Sequence, residues 1–596
     1  MLDLARLRAL YTDGTSPLDL ADALAARMAK SDDPAIFITA VDRDGLRRQA
    51  QDLLHRAPTP NSLPLWGVPF AVKDNIDVAG LPTTAGCPAF AYTPQRDAFA
   101  IARLRAAGAL VVGKTNLDQF ATGLNGTRSP YGAPRCVFDP AYISGGSSSG
   151  SAVAVAAGLA AFALGTDTAG SGRVPAALNN IVGIKPTPGR IGATGLVPAC
   201  RSVDTISIFA GSVADGVAIR RIVEGFDEDD AFSRIGAPVA LPARPRIGVL
   251  RQEDREFFGD AEAERLYGDA IGRLTDLGAT PVAFDYAPFR EAAVLLYDGP
   301  WVAERLAAIE RFFEHHAADL DPSVRAIVDG ARRYSAVDAF RGRYELEALR
   351  RRTTATWATC DMLLLPTAPT TYTVDAMLAD PIRLNSRLGH YTNFANLFGL
   401  AAIAVPAGFS EAGLPCGVTL VGPGSSDDAL APLADALHRA AGCGMGRARL
   451  APGVLAPALP PEDRVELAVV GAHLSGLPLN RELVALGGTF VREVMTAGDY
   501  RLFALPGTTP PKPGLVREPG FDGPGVPGEV WSLPPEAFGR FVAAIPPPLG
   551  IGRVTMSDGS VPSGFMCEQW AVEEATEVVG GWRSFVEARK RADGTG

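Results

Sequence analysis

Two turns rich in glycine and serine carry the hydroxyls best suited to nucleophilic chemistry. They are Gly145-Gly146-Ser147-Ser148-Ser149-Gly150-Ser151-Ala152 and Gly165-Thr166-Asp167-Thr168-Ala169-Gly170-Ser171-Gly172-Arg173. Between them runs an apolar segment, Val153 to Leu164, read as a buried helix from Ser151 to Gly158 and a short strand from Leu159 to Leu164. Glycines let backbone approach a ligand closely, and serines supply nucleophiles or proton relays. The second turn leads into Val174-Pro175-Ala176-Ala177-Leu178, which reads as a helical first turn. Ser171 then sits where unpaired backbone N–H groups converge, a place to stabilise an oxyanion. Apolar runs press on both turns and argue against a flexible Gly/Ser linker. A serine hydroxyl needs a base, and none of the six histidines (His55, His315, His316, His390, His438, His473) lies in sequence near either turn. Lys73 ends the strand-like run Leu65 to Val72, just before a turn at Asp74-Asn75. Exposed, it would be an ordinary lysine at a strand end; in a dry pocket it would lose its proton readily and act as a base.

These segments together resemble the amidase signature family. The likeness rests on Gly67-Val68-Pro69-Phe70 with Val72-Lys73-Asp74, the Gly-Gly-Ser-Ser turn, Gly165 through Ser171, Gly183-Ile184-Lys185-Pro186-Thr187 and Gly189-Arg190. Ser147 and Ser171 stand twenty-four positions apart, as in that family, and the likeness runs from about residue 20 to about residue 445. It implies an α/β fold, a central mixed sheet flanked by helices. It also implies Ser171 as the acylated nucleophile, Lys73 as general base, and Ser147 as the relay in a cis Gly146–Ser147 peptide. The chemistry is coherent by itself: neutral Lys73 draws a proton from Ser147, Ser147 draws one from Ser171, and the alkoxide attacks an amide carbonyl. The amides of Thr168, Ala169, Gly170 and Ser171 are placed to bind the oxyanion. Asp167 and Arg173 are expected to hold the loop in shape. Desolvation should bring neutral Lys73 into play at mildly alkaline pH.

A rival motif overlaps the first turn. Gly146-Ser147-Ser148-Ser149-Gly150 fits the G-x-S-x-G nucleophile elbow, which would make Ser148 the nucleophile and require a downstream Asp and His. It leaves Lys73 and the second turn unexplained. Substrate choice points to Leu296-Tyr297-Asp298-Gly299-Pro300-Trp301-Val302-Ala303-Glu304-Arg305. Gly299-Pro300 is expected to open a helix with Pro300 in its first turn, Arg305 on that helix and Tyr297 on the segment leading in. An arginine is the natural bidentate partner of a carboxylate. With Phe120-Ala121-Thr122-Gly123-Leu124 and the long tail, this segment resembles the allophanate hydrolases of the amidase family. That likeness implies Tyr297 and Arg305 on the substrate carboxylate and Gly123 contacting substrate through its backbone.

The elements that must position these residues are legible in outline. Leu4 to Met28 reads as two short amphipathic helices, Ala109 to Val112 and Arg246 to Leu250 as strands, Val213 to Val223 as a helix capped by Ser212, and Ala261 to Leu277 as a long helix. Alternating strands and helices argue an α/β sheet between helices over residues 1–449. Prolines through 450–463 read as a semi-rigid linker, and 464–596 as a smaller α+β domain opening with the strand Val465 to Val470. The tail is similar to the gamma-glutamyl cyclotransferase fold. That likeness links its only histidine, His473, to decarboxylating N-carboxycarbamate, with Glu529 as a weaker candidate at a strand edge; an assembly role for the tail stays open.

Fifty-six basic against sixty-six acidic side chains leave a net charge of −10, which disfavours nucleic acid or an anionic membrane as partner. No stretch reaches the ~18 apolar residues of a membrane helix, and Met1-Leu2-Asp3-Leu4 starts no signal peptide, so cytoplasm is expected. Seven scattered cysteines without a CxxC pair fit reduced thiols and no zinc site. The expectation is therefore a cofactor-free, metal-free amidohydrolase acting on allophanate as a homodimer, alongside a urea carboxylase. The alternatives are an amidase for another small amide, one component of an amidotransferase, and an inactive scaffold.

Overall fold

The computed structural model describes residues 2–596 except 235, 237, 238, 240, 243, 456–463, 508–511 and 593–596. The chain folds as two compact units, Met1–Ala456 and Pro457–Gly596. The expected linker lies outside the described residues from 456 onward. Its first part stays with unit one: Leu450 O accepts from Met445 N at 2.8 Å, and Leu455 packs on that unit's core.

Unit one is built on an eleven-stranded mixed sheet. Its strands in chain order are β1 (Phe37–Ala40), β2 (Pro69–Lys73), β3 (Leu110–Thr115), β4 (Phe162–Asp167), β5 (Val182–Lys185), β6 (Thr205–Ala210), β7 (Arg246–Leu250), β8 (Thr280–Phe284), β9 (Met362–Pro366), β10 (Ala401–Phe409) and β11 (Pro415–Gly422). Their spatial order is β1-β3-β2-β4-β6-β5-β10-β11-β9-β7-β8. β2 lies parallel between β3 and β4, and every residue of all three is buried. Strands covered on both faces read as near-continuous apolar runs, as Phe70-Ala71-Val72 and Phe162-Ala163-Leu164 do. The register Val72↔Leu164 places Lys73 level with Gly165, so the carboxyl ends of two parallel strands deliver Lys73 and Thr166 side by side. Open α/β sheets present ligand sites at such ends.

The helix between the two turns is Ser149–Ala156, not Ser151 to Gly158, and the strand after it starts at Phe162. Every residue of that helix is buried, so it has no polar face from which its start can be read. Val213–Val223 forms as expected, with Ser212 Oγ accepting from Asp215 N at 3.1 Å. Tyr297 lies inside the helix Ala287–Asp298 rather than on a lead-in segment, and Pro300 caps the helix Trp301–His316 instead of entering its first turn.

Unit two adds β12 (Val465–Val469), β13 (Thr489–Met495), β14 (Tyr500–Ala504), β15 (Pro513–Arg517), β16 (Pro527–Leu533), β17 (Leu549–Arg553), β18 (Ser563–Cys567) and β19 (Thr576–Glu577). They form a five-stranded sheet, β13-β16-β12-β18-β17, and a three-stranded one, β15-β14-β19. Its core gathers Leu467, Leu502, Trp531, Leu533, Phe541 and Trp582. Glu529 is not at a sheet edge: β16 is interior, and the Glu529 carboxylate is buried.

Candidate active site

Lys73 is fully buried at the end of β2, with Nζ 2.8 Å from Ser147 Oγ and donating to Thr166 Oγ1 at 2.7 Å. Ser147 Oγ lies 2.9 Å from Ser171 Oγ. One unbroken chain of hydrogen bonds therefore joins lysine to the outer serine, and rotatable hydroxyl protons let it run in either direction. The Gly146–Ser147 peptide is cis. Burial outweighs the attraction of Asp118, Asp204 and Asp167 and brings the Lys73 ammonium down from 10.5 to about 7. A base poised there is matched to neutral chemistry.

Beyond β4 the chain turns through Thr168-Ala169-Gly170-Ser171. Among the described residues, none of these four amides donates a backbone hydrogen bond. Four orphan N–H groups beside a nucleophile are the equipment of an oxyanion hole. The turn is held from outside. Asp167 takes a bidentate pair from Arg173 at 2.9 and 3.0 Å, with both side chains wholly buried. Burial would push the Asp167 carboxyl up, but Arg173 and Lys185 hold it below its ordinary value. Asn396 Nδ2 donates to Asp167 O at 2.6 Å and Val203 O at 3.0 Å. Asp204 accepts from the Thr168 hydroxyl and from Ala199 N at 2.7 Å; its burial pushes it up to about 6. Gly170 has φ +153°, and a Cβ there would stand 2.4 Å from Thr392 Oγ1.

The opposite wall is the loop 119–126. Gly123 O lies 3.5 Å from Ser171 Oγ, and a Cβ on Gly123 would collide with the Asp118 carboxylate at 2.4 Å. Asp118 holds this loop by accepting from the amides of Asn125, Gly126 and Arg128. Arg305, 2% exposed, donates Nη1 to Thr122 Oγ1 at 3.1 Å and Nη2 to Tyr297 OH at 3.2 Å, with its guanidinium 4.8 Å from the Tyr297 ring centre. Its Nε has no hydrogen-bond partner among the described residues. Asp204 and Glu304 attract the guanidinium without bridging to it, which leaves N–H groups open to an anionic ligand.

Ser148 does not compete as nucleophile. Its Oγ donates to Thr166 O at 3.2 Å and accepts from Thr166 N at 3.3 Å. Of the downstream histidines, His438 faces Gly444 O and His316 faces Asp319.

His473 lies in unit two, in a cavity of about 480 Å³ lined by Glu482, Lys512, Phe541, Ile545 and Phe565 among others. Nε2 is 3.1 Å from Glu482 Oε2, and the ring stacks on Phe565 at 5.2 Å. Burial lowers its pKa despite Glu482. Glu529 is committed elsewhere, accepting from Ser475 N, Trp531 Nε1 and Arg583.

The sequence reading missed Thr166, Thr122, Asp118, Asp204 and Asn396. The first two stand inside segments already singled out; the others carried no local signal.

A buried lysine hydrogen-bonded through one serine to a second, beside amides without backbone partners, is the arrangement that a Ser–Ser–Lys acyl-transferring hydrolase requires. Comparison with known proteins agrees. The amidase family matches residues 19–431, and the allophanate hydrolase C-terminal domain matches residues 465–587. A urea amidolyase of Lachancea kluyveri is 42% identical over 594 residues, 96% of this chain and 32% of that protein. One polypeptide of a glutamyl-tRNA(Gln) amidotransferase, from Roseiflexus castenholzii, is 34% identical, over 74% of this chain and 95% of its own. The structure of Kluyveromyces lactis allophanate hydrolase, selenomethionine-substituted, superposes with a TM-score of 0.71 at 39% identity, covering 98% of both chains. The chain belongs to the amidase family and has the amidase signature fold with a smaller C-terminal domain. It spans about a third of the length of the urea amidolyases it matches.

A pH dependence follows from Lys73. If the neutral amine is the base, kcat/KM should rise as pH passes upward through about 7 and then level off. A profile from pH 5 to 9 checks this. Arginine cannot deprotonate in this range. If Lys73→Arg keeps residual activity with an unchanged acid limb, lysine is not the base.

Proposed function

We propose that this chain is an allophanate hydrolase. The observation that carries the reading is Arg305: a buried guanidinium whose Nε has no partner, joined through Thr122 to the Gly123 carbonyl beside Ser171. An amide that also bears a carboxylate fits both ends of such a site. Allophanate places its carboxylate on Arg305 and Tyr297 and its terminal amide carbonyl over Ser171. Lys73 takes the Ser147 proton as Ser147 takes that of Ser171, and the alkoxide adds to the carbonyl carbon. The oxyanion is received by the amides of Thr168 to Ser171, and collapse expels ammonia, protonated through the same relay. Water then cleaves the acyl-enzyme by the reverse proton path and leaves N-carboxycarbamate.

Loss of carbon dioxide from that product is assigned to the His473 cavity. His473, with Nε2 3.1 Å from Glu482, is placed to pass a proton to the carbamate nitrogen as its bond to carbon dioxide breaks. A urea-carboxylating enzyme supplies the substrate. The helix Ala336–Arg352 leaves Val337, Phe340 and Tyr344 exposed at helical spacing, an apolar stripe that supports assembly with a second copy.

The test is ammonia and carbon dioxide release from allophanate, biuret, malonamide and simple aliphatic amides, compared by kcat/KM. Allophanate should lead by orders of magnitude. Parity with the neutral amides would make this a general amidase. His473→Ala should slow carbon dioxide but not the first ammonia; equal slowing of both removes the assignment to unit two. Sedimentation at the monomer mass removes the dimer.

A further inference from the structure

Arg305 can bind an anion in one orientation only if its guanidinium is held, and helix Trp301–His316 does not do that alone. The helix breaks at Ile309, where φ is −130°, and the carboxylate of its Glu304 is hydrogen-bonded by Ser202 rather than by Arg305. The hold comes from the loop across the site. Phe120 and Ala121 both have left-handed backbone, φ 51° and 52°, a conformation that side-chain-bearing residues seldom adopt and that surrounding structure must impose. Phe120 is clamped between Phe90, 5.2 Å away, and Phe312, 5.8 Å away on the far half of the Arg305 helix. The loop and that helix are therefore packed as one body.

The next residue is Thr122, 1% exposed, and every polar group it has is assigned. Its amide donates to Gln119 O at 3.0 Å, and its carbonyl accepts from Arg128 Nη1 at 2.9 Å. Its hydroxyl proton goes to Phe120 O at 3.2 Å, so an Oγ1 lone pair faces Arg305 Nη1 at 3.1 Å. Threonine restricts χ1, so this oxygen is aimed by the backbone that also places Gly123 O by the nucleophile. A guanidinium has five N–H donors; Thr122 and Tyr297 each take one, and Nε is left without a protein partner.

We propose that Thr122 is a positioning residue for substrate selection: it fixes the Arg305 guanidinium so that its remaining N–H groups meet a carboxylate at a set distance from Ser171. The proposal rests on the reading of the site as one for a carboxylated amide. It makes loop 119–123 a ruler, with the anion end set by Thr122 and the reacting end by Gly123.

Steady-state kinetics on the full chain test it. Thr122→Val keeps the shape and removes the oxygen, Thr122→Ser keeps the oxygen, and each is made in parent and Arg305→Ala backgrounds. Thr122→Val should lower kcat/KM for allophanate about tenfold, mostly through KM, on the scale of one hydrogen bond to a charged group. A neutral small amide should change less than about threefold, and Thr122→Ser should recover most of the loss. In the Arg305→Ala background Thr122→Val should add less than about twofold, because residues acting through one contact are not additive. Parent-like allophanate kinetics in Thr122→Val, equal losses on both substrates, failure of serine to rescue, or a full additional loss without Arg305 would each overturn the proposal. Absence of allophanate hydrolysis in the parent enzyme would instead sink the functional reading and the proposal with it.

Discussion

Ser171→Ala is expected to remove allophanate hydrolysis by roughly five to six orders of magnitude, the scale seen when a nucleophile acting within a catalytic unit is deleted. The change takes away one oxygen at the end of a three-member chain. Ser147 keeps its 2.8 Å contact with Lys73, and the turn keeps Asp167, Arg173 and Asn396. Folding should therefore be unaffected, and the loss should appear in kcat with substrate binding retained. Lys73→Ala should be nearly as damaging, since the Ser147–Ser171 pair then has no buried group to receive its proton. The double variant should lose no more than the worse single one. Rates of ammonia release, with thermal unfolding as the control, measure all three. Substantial turnover by Ser171→Ala would assign the nucleophile to another hydroxyl, and a further full loss in the double variant would mean the two residues do not act in series.

How far this site is legible before folding depends on where its partners lie in the chain. Lys73, Ser147 and Ser171 stand in motifs whose residue types suggest a base, a relay and a nucleophile, and the structure brings the three together. Local signals also place the helix Val213–Val223, through Ser212, and the strand Arg246–Leu250, through its apolar run. What supports the turns is illegible because it arrives from far away. Asn396 reaches Asp167 across 229 positions, and Asn385 reaches Leu124 across 261. An asparagine has no pattern around it that announces a distant carbonyl. The helix Ser149–Ala156 fails differently: small residues buried on every side leave no periodicity from which to fix its ends. Glu529 looks like an edge residue because sequence order does not give sheet order; β16 pairs with β12 on one side and β13 on the other. Tyr297 reads as a lead-in because Gly299-Pro300 marks a break, yet the chain is helical up to Asp298.

Arg305→Ala is expected to cost about 2–5 kcal/mol in transition-state binding of allophanate, the scale for truncating one partner of a buried charge pair, and far less for a neutral amide of similar size. In the free enzyme the guanidinium is attracted by Asp204 and Glu304 and hydrogen-bonded only to hydroxyls, so a substrate carboxylate would be its direct ionic partner. Tyr297→Phe should show the same bias more weakly. It removes one hydroxyl from Nη2 and leaves the ring 4.8 Å from the guanidinium. Stability is a separate readout. Removing the guanidinium takes away its attraction to Asp204 and Glu304 and leaves the Thr122 and Tyr297 hydroxyls without their donor. Arg305→Met should therefore unfold at a slightly lower temperature than the parent while losing far more on allophanate than on a neutral amide. Specificity constants for both substrates and unfolding midpoints for the three variants decide the matter. An equal fall on both substrates in the Arg305 variants would make Arg305 a structural residue, and the carboxylate would then have to be bound by other groups.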